Sequence, residues 1–359
     1  MAELLKHIYN ESFISKLSKS IKRVDNKFKP VQFKKDVLNN EWQYFELKQR
    51  MQHISRVLRV HLPKDYKSAL DILMSLEVKD NGFEYMFLPD FVEQFGLQYF
   101  DESISALTHF TKSSSAEFAV RPFIMHYENK MMKQMHIWAE SDNYHERRLA
   151  SEGCRPRLPW AMALPKFKKN PKPILPILEK LKTDGEEYVR RSVANNLNDI
   201  AKDNPETVIK IAKHWSGLSS DTDKLIKHAC RTLLKSGEPQ VLSLFGFKNP
   251  SNIQLRKFKL SKSVVFDGMV EFEFSLFTTK KNLGKLRLEY AIDFLRNNNQ
   301  HNRKVFKIAE ADYAETEKKV KKSYSFKPIT TRKYYPGKHY IGIIVNGVEF
   351  ARKPFMLNS

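Results

Sequence analysis

Cysteine is scarce in this sequence. Only two occur among 359 residues, Cys154 and Cys230, and neither belongs to a CxxC motif. Zinc fingers need closely spaced cysteine or histidine pairs, and many zinc hydrolases carry HExxH, which the eleven histidines do not form. We therefore expect no metal site, and we expect both cysteines to be reduced.

Long apolar segments are also missing. The sequence has no run of about 18 apolar residues, which a membrane-spanning helix requires, and no apolar N-terminal segment typical of a signal peptide. These absences predict a cytoplasmic protein without a membrane partner.

Positive charge, in contrast, is abundant. Lys and Arg number 62 against 41 Asp and Glu, a net charge of +21 that is spread along the chain. Such a charge attracts polyanions and gives salt-dependent binding to nucleic acid. The alternative is a basic protein that charge merely keeps soluble.

Up to about residue 250 the sequence has helical periodicity, interrupted by short turns such as residues 203–205 and 236–239. Helices joined by tight turns predict a stack of helix pairs. The clearest unit begins at EEYVRRSVANNLNDIAKDNP. One of its faces is apolar and must pack on a partner helix. That face consists of Val189, Val193, Leu197 and Ile200, and the opposite face carries Arg191, Asn195, Asn198 and Lys202.

The following unit repeats this arrangement. Leu225, Ala229 and Leu233 form its apolar stripe. The far side is basic and consists of Lys224, Lys227, Arg231 and Lys235. Basic faces therefore recur one repeat apart.

After residue 250 the pattern changes to alternation, as in VEFEFSLF and HYIGIIVNGVEF. About eight such runs predict a small β-sandwich of immunoglobulin type. Asn346-Gly347 predicts a type I′ hairpin turn. The sequence thus predicts an all-α solenoid of stacked helix pairs over residues 1–250, followed by an all-β immunoglobulin-like sandwich over residues 251–359. The sandwich has 22 Lys and Arg against 10 Asp and Glu, so we expect it to touch the same polyanion.

Residues 151–160 read SEGCRPRLPW and interrupt the helical pattern. A connector between helices is one interpretation. The other is a rigid shelf, since prolines fix the backbone and can hold Glu152, Arg155, Arg157 and Trp160 in place.

SEGCRPRLPW, followed about thirty residues later by YVRRSVANNLNDIAKDNP, resembles the AlkC branch of the HEAT-like-repeat alkylpurine DNA glycosylases, relatives of AlkD. The resemblance covers residues 1–248, and some AlkC-type proteins also carry a C-terminal immunoglobulin-like domain. It implies a bacterial enzyme that works at the nucleoid on double-stranded DNA. It implies removal of cationic alkylated bases, notably 3-methyladenine and 3-methylcytosine, by cleavage of the N-glycosidic bond. No metal or organic cofactor is implied, and we expect a monomer.

On this resemblance Glu152 is the first candidate for a catalytic carboxylate, with a salt bridge to Arg155 or Arg157 as its competing explanation. Glu117, in SSSAEFAVRPF, matches a second acidic position. The alternative for Glu117 is a capping box, because Ser114 precedes it by three residues. Trp160 can offer its ring to a cationic base, or it can be an ordinary core residue.

The predicted DNA-binding residues are basic or polar. Arg190 and Arg191 resemble the family's phosphate-binding position, and a solvated charged face is their alternative. The full predicted set is Arg155, Arg157, Arg190, Arg191, Asn195, Lys227 and Arg231. Arg231 stands where AlkD would have a tryptophan, so AlkD's way of holding DNA cannot be transferred. Trp138 and Trp215 are predicted to be packing residues.

Two other functions stay open. A noncatalytic helical-repeat scaffold that binds nucleic acid or an acidic protein would explain the charge and the repeats. A glycosylase with lyase activity through a lysine Schiff base is also compatible with a lysine-rich chain.

Overall fold

A computed structural model describes residues 5–78, 82–329 and 332–358. Sixteen α-helices occur within these residues. They are α1 Glu11–Val24, α2 Pro30–Val37, α3 Leu47–His61, α4 Tyr66–Met74, α5 Phe87–Phe95, α6 Phe100–Phe110, α7 Val120–His126, α8 Glu128–Ala139, α9 Tyr144–Gly153, α10 Pro165–Lys169, α11 Leu175–Leu181, α12 Glu187–Ile200, α13 Pro205–Trp215, α14 Ser220–Ala229, α15 Arg231–Ser236 and α16 Pro239–Leu244.

Eight strands follow the helices. They are β1 Ile253–Leu260, β2 Ser263–Val265, β3 Met269–Thr278, β4 Gly284–Leu295, β5 His301–Tyr313, β6 Glu317–Ser325, β7 Gly337–Val345 and β8 Val348–Asn358. The predicted order of a helical repeat region followed by a β-sandwich is confirmed. No helix among the described residues is both long enough and apolar enough to cross a bilayer.

The chain forms two compact units. One unit extends to Val208 and also includes Trp215–Ala229. The other consists of Ile209–His214 and of the chain from Cys230 onward. In the first unit, α9 packs against α8 and α12, and α12 packs against α14. These helices position most of the residues that the sequence marks as functional.

The apolar face of α12 is as predicted, since Val189, Val193, Leu197 and Ile200 are fully buried. Asn198, however, was expected on the solvent face and is buried. The reason is that α9, α11 and α14 all pack around α12, so little of its circumference faces solvent.

The second predicted repeat helix is two helices. Helix α14 ends at Ala229 and α15 begins at Arg231, because Cys230 between them has a non-helical backbone. Leu225, Ala229 and Leu233 are buried as predicted, but Leu233 belongs to α15. Both cysteines are buried free thiols, and Trp138 and Trp215 are buried packing residues.

The sandwich has a three-stranded sheet of order β1-β3-β6 and a five-stranded sheet of order β2-β8-β7-β4-β5. All pairs are antiparallel except β2 with β8. Every second residue of β3 from Val270 to Leu276 is buried and packs against apolar side chains of β4 and β7. Asn346 and Gly347 both have positive φ, 46° and 80°, as the predicted type I′ turn requires.

Candidate active site

The first unit contains a cavity of about 470 Å³, which we call the carboxylate cavity. Its walls combine two carboxylates, two arginines and several aromatic rings. It is lined by Phe83, Met86, Thr111, Ser113, Ser114, Ser115, Glu117, Phe118, His145, Arg148, Glu152, Arg155, Leu158, Pro159, Trp160 and Tyr188. The catalytic residues predicted from the sequence, Glu117, Glu152 and Trp160, thus share one cavity.

The start of SEGCRPRLPW is helical, contrary to the prediction. Helix α9 begins after the cap Asn143, whose side chain accepts a hydrogen bond from the backbone N–H of His145, and it continues through Gly153. Gly153 serves close packing, because a Cβ at this position would lie 2.6 Å from a methyl group of Val120. Glu152 therefore projects from the last turn of a helix, a more rigid support than a loop.

The chain that follows α9 is held by Arg121 of α7. Its Nε donates to the carbonyl of Met162 at 2.6 Å, and its NH1 donates to the carbonyls of Gly153 at 3.0 Å and Arg155 at 2.9 Å. Arg121 is fully buried, and burial lowers its pKa to about 10. Because it is still a cation at neutral pH, it binds these carbonyls with charge-assisted hydrogen bonds.

Glu152 is buried and accepts hydrogen bonds at both carboxylate oxygens. Oε1 accepts a hydrogen bond from NH1 of Arg155 at 2.6 Å, and Oε2 accepts one from the hydroxyl of Ser192 at 2.7 Å. NH2 of Arg148 lies 3.5 Å from Oε1. The predicted salt bridge with Arg155 is therefore present. Glu152 also lines the carboxylate cavity.

Arg155 itself is 6% exposed. Its Nε donates to Oδ2 of Asp199 at 2.9 Å, and Asp199 also pairs with Lys202 at 3.0 Å. Burial lowers the pKa of Arg155, but attraction by Glu152 and Asp199 is larger, and the pKa is raised overall. The guanidinium thus anchors Glu152 to α12, and its predicted contact with DNA stays a prediction.

Glu117 does not form the capping box with Ser114 that the sequence left open. Its Oε2 accepts hydrogen bonds from Ser115 Oγ and from NH1 of Arg148. Arg148 is placed over the ring of Tyr188, 5.0 Å from the centroid. Burial lowers the pKa of Arg148, but Glu117 and Glu152 outweigh this effect and raise it overall. Arg148 is therefore a fixed cation between two carboxylates.

Trp160 is 66% exposed, which rules out the interpretation as a core residue. Its backbone has φ of +64°, a conformation that non-glycine residues rarely adopt. The ammonium of Lys48 on α3 donates to the Trp160 carbonyl at 2.7 Å. The indole is thus presented at the cavity wall on a strained and tethered backbone.

Arg157 lies outside the carboxylate cavity and forms a bidentate ion pair with Asp203, at 2.8 and 2.7 Å. This pair is partly exposed. Its predicted DNA contact stays a prediction.

Other predicted DNA-binding residues meet at a second cavity of about 330 Å³ between α12 and α14. Arg190 donates to the carbonyls of Asp184 at 2.6 Å and Gly185 at 2.9 Å, and pairs with Asp221 at 3.0 Å. Arg191 also lines this cavity and is exposed.

Three further members of the predicted set do not line that cavity. Oδ1 of Asn195 accepts a hydrogen bond from Nε2 of His228, which lines the cavity, at 3.0 Å. Lys227 is exposed on α14. Arg231 is half-buried at the start of α15, in the other compact unit. The structure therefore groups Arg190 and Arg191 but does not gather the whole set at one cavity.

Sequence reasoning missed several residues of the site, among them Arg148, Arg121, Ser192 and Lys48. Arg148 carried a readable signal, because it precedes Glu152 by four residues and so shares its helix face. Arg121, Ser192 and Lys48 carried none, since their partners are 32 or more residues away in sequence.

Chemically, the carboxylate cavity suits an electron-poor, planar group. Fixed carboxylates favour positive charge, and Phe118, Tyr188 and Trp160 supply aromatic surface. Arg148 and Arg155 form ion pairs with the two carboxylates and hold them in place, so no mobile counterion is needed to do so.

Two family models match the chain. Residues 103–233 match the DNA alkylation repair enzyme family. Residues 254–359 match the C-terminal Ig-like domain of the uncharacterised protein YhaZ. The first match includes all sixteen residues of the carboxylate cavity except Phe83 and Met86.

Two proteins resemble the chain over nearly its whole length. It is 45% identical over 345 residues to the uncharacterized protein YhaZ of Bacillus subtilis (strain 168), covering 96% of each chain. It is 33% identical to the Pseudomonas fluorescens alkylpurine DNA glycosylase AlkC bound to DNA containing an abasic site analog. That structure superposes with a TM-score of 0.93, covering 99% of this chain and 100% of AlkC. The chain therefore belongs to the family of AlkC and YhaZ, and it combines a DNA alkylation repair enzyme domain with a C-terminal Ig-like domain.

Proposed function

We propose that this protein is a monofunctional DNA glycosylase that hydrolyses the N-glycosidic bond of cationic N3-alkylated bases, 3-methyladenine and 3-methylcytosine, in double-stranded DNA. The observation that carries the proposal is the pairing of Glu117 and Glu152 in one cavity with the exposed Trp160. The likeness to the AlkC glycosylase over the full chain supports it.

The chemistry required is modest. A base that is already cationic is a good leaving group, so the enzyme has no need to protonate it. The barrier lies in the positive charge that develops on the sugar as the bond breaks, as in other glycoside cleavages. A fixed carboxylate beside the sugar stabilises this charge and can align a water molecule. No metal or organic cofactor is needed for these steps.

Trp160 contributes to the choice of base. Its exposed ring attracts a cation more strongly than a neutral ring, by about 0.5 to 2 kcal/mol depending on solvent exposure. A neutral adenine is both a poorer leaving group and a weaker partner for the indole.

Binding to DNA rests on the basic residues. Arg191 and Lys227 are exposed, so phosphates can approach them. Arg190 binds two backbone carbonyls, which a phosphate would replace. The Ig-like sandwich, with its excess of 12 positive charges, would add further phosphate contacts. We propose that the protein acts as a monomer in the bacterial cytoplasm, on nucleoid DNA.

The alternatives are less well supported. A noncatalytic scaffold does not explain two carboxylates fixed by buried arginines at one cavity. A lysine Schiff base requires a lysine in the cavity, and among the described residues none lines it.

The decisive experiment incubates the purified protein with methylated DNA and measures released bases by chromatography. Release of 3-methyladenine and 3-methylcytosine in the presence of a chelator is expected. Glu152→Gln should lower the single-turnover rate by about 100- to 1,000-fold, because it removes one preorganised electrostatic contact. Affinity for an abasic-site analogue should change little.

Three outcomes would count against the proposal. Wild-type protein that binds DNA but releases no base favours the scaffold. Activity that disappears in chelator and returns with added metal contradicts a cofactor-free reaction. Normal excision by Glu152→Gln shows that another carboxylate carries the chemistry.

A further inference from the structure

The two carboxylates of the cavity differ in how their oxygens are used. Both oxygens of Glu152 accept hydrogen bonds, from Arg155 and Ser192. Glu117 accepts only through Oε2, from Arg148 and Ser115. Among the residues that the structure describes, none donates to Glu117 Oε1, and this side chain is 16% exposed. Glu117 therefore retains an oxygen that can accept a hydrogen bond from a molecule in the cavity.

Arg148 determines which oxygen of Glu117 is occupied. It is a mostly buried cation on α9, with its side chain 12% exposed, and its NH1 contacts both Glu117 Oε2 and Ser115 Oγ. Its guanidinium carbon lies over the ring of Tyr188, 5.0 Å from the ring centroid. A planar guanidinium held on one side by a ring and on another by two acceptors has little freedom to rotate. The carboxylate of Glu117 is consequently fixed in orientation.

We propose that Arg148 is a positioning residue. It hydrogen-bonds to Oε2 of Glu117 and thereby orients Oε1 to accept a hydrogen bond from the attacking water. Glu152, which is saturated by hydrogen bonds, then supplies fixed negative charge. This proposal rests on the proposed glycosylase function and deepens it by giving the two carboxylates different roles.

The step balances without a further reactant. The bond between the sugar carbon and the base nitrogen breaks, and its electron pair goes to the cationic base, which leaves neutral. The water oxygen forms a bond to that sugar carbon, and one of its protons goes to Oε1 of Glu117. The proton then passes to solvent, and Glu117 is a carboxylate again.

The test compares Arg148→Met with a matched control, Arg147→Met. Arg147 is the adjacent residue of α9 and is similarly buried, with side chains 19% and 12% exposed for Arg147 and Arg148. It forms an equivalent ion pair with Asp184, at 2.6 and 3.1 Å, but it does not line the carboxylate cavity. Both substitutions therefore remove a buried ion pair from the same helix, and only one of them touches Glu117.

We expect Arg148→Met to lower single-turnover release of 3-methyladenine by about 100-fold or more, the usual effect of losing a preorganised electrostatic element. Affinity for undamaged duplex should change little. Arg147→Met should retain a rate close to wild type, even if its thermal stability falls as much as that of Arg148→Met. Arg148→Lys should restore part of the rate, because one ammonium can reach Glu117 without reproducing the planar fork.

A double-mutant cycle tests whether Arg148 acts through Glu117. If it does, adding Arg148→Met to Glu117→Gln should cost little beyond Glu117→Gln alone, since residues that act as a unit are not additive. Equal losses for Arg148→Met and Arg147→Met would overturn the proposal. So would full additivity in the cycle, or an Arg148→Met variant with the wild-type rate.

The two levels of proposal fail in different ways. If wild-type protein releases no methylated base, the glycosylase function fails, and the role of Arg148 fails with it. If wild-type protein is active and the Arg148 variants behave like the Arg147 control, only the role of Arg148 is wrong.

Discussion

The ammonium of Lys48 donates a hydrogen bond to the backbone carbonyl of Trp160, 2.7 Å away in space and 112 residues away in sequence. This contact holds a tryptophan whose φ is +64° and whose ring stands in solvent at the cavity wall. Local sequence does not favour that backbone conformation, so a tertiary contact must help to maintain it. The aromatic element of the site thus depends on a helix far from it in the chain.

Lys48→Met should reduce excision without preventing folding. A single hydrogen bond contributes about 0.5 to 1.5 kcal/mol net, so we expect the rate to fall between about twofold and tenfold. Lys130→Met is a suitable control, because Lys130 also lies over a phenylalanine ring, at 5.2 Å from Phe100, as Lys48 does at 5.1 Å from Phe118. Similar rates for the two variants would show that the tether has no catalytic effect.

Trp160→Ala should slow removal of 3-methyladenine and 3-methylcytosine while leaving affinity for plain duplex almost unchanged. The loss of a cation–π contact predicts a reduction of about 2- to 30-fold. Thermal stability should hardly change, since the ring is mostly exposed. Excision rate and duplex affinity are measured on the same variant at fixed salt. Equal losses in both would contradict a role in recognising the base.

The basic edge strand β6 provides a test of DNA binding by the sandwich. Lys319 and Lys321 are both exposed on this strand, and replacing both with Gln removes two charges without shortening the chain. If they contact phosphates, the slope of log K against log salt should flatten by about 0.9 for each contact that is lost. An unchanged slope would mean that these lysines serve only to keep an edge strand from pairing with other chains.

Glu93 on α5 should make stability depend on pH. Burial and the neighbouring charge of Asp90 raise its pKa from 4.5 to about 7. Between these values the unfolded chain is ionised while the folded protein keeps the proton, so stability falls as pH rises through this window. Glu93→Gln should therefore raise Tm at about pH 8 and not at about pH 4, on either side of the window.

A control for this prediction is Glu206→Gln, at an exposed position of α13. Calorimetry of both variants at the two pH values distinguishes the effect of burying the Glu93 carboxyl group from the general effect of removing one negative charge. A Tm gain for Glu93→Gln that is the same at both pH values would refute the prediction.

The parts of the fold that depend on local pattern were predictable. The spacing of apolar residues predicted the buried face of α12, and the alternation of apolar with polar residues predicted the eight strands. Each pattern matches the repeat with which the backbone of a helix or a strand turns side chains to the same face. The break at Cys230 was missed, since an amphipathic stripe continues through it from Leu225 to Leu233. The burial of Asn198 was missed because it depends on three neighbouring helices.

The site was predictable where its residues are adjacent in sequence and obscure where they are not. Glu152 and Trp160 share one short segment, which resemblance to a family could identify. The pairing of Glu117 with Arg148 joins residues 31 apart, and no periodicity connects them. Gly153 belongs to the segment that was predicted to interrupt the helical pattern, yet it lies in α9, and its small size serves packing against Val120. A glycine's reason for being present depends on what surrounds it.

Arg121 has a consequence for how the site assembles. The three carbonyls that it holds come from both ends and the interior of the segment 153–162, so that segment can take its native shape only once α7 has docked. Opening any part of it leaves a buried cation short of partners, which is strongly unfavourable in a dry interior. The segment should therefore form and melt as one cooperative unit, with its amide protons exchanging together. The carboxylate and the indole are then either both in place or both absent.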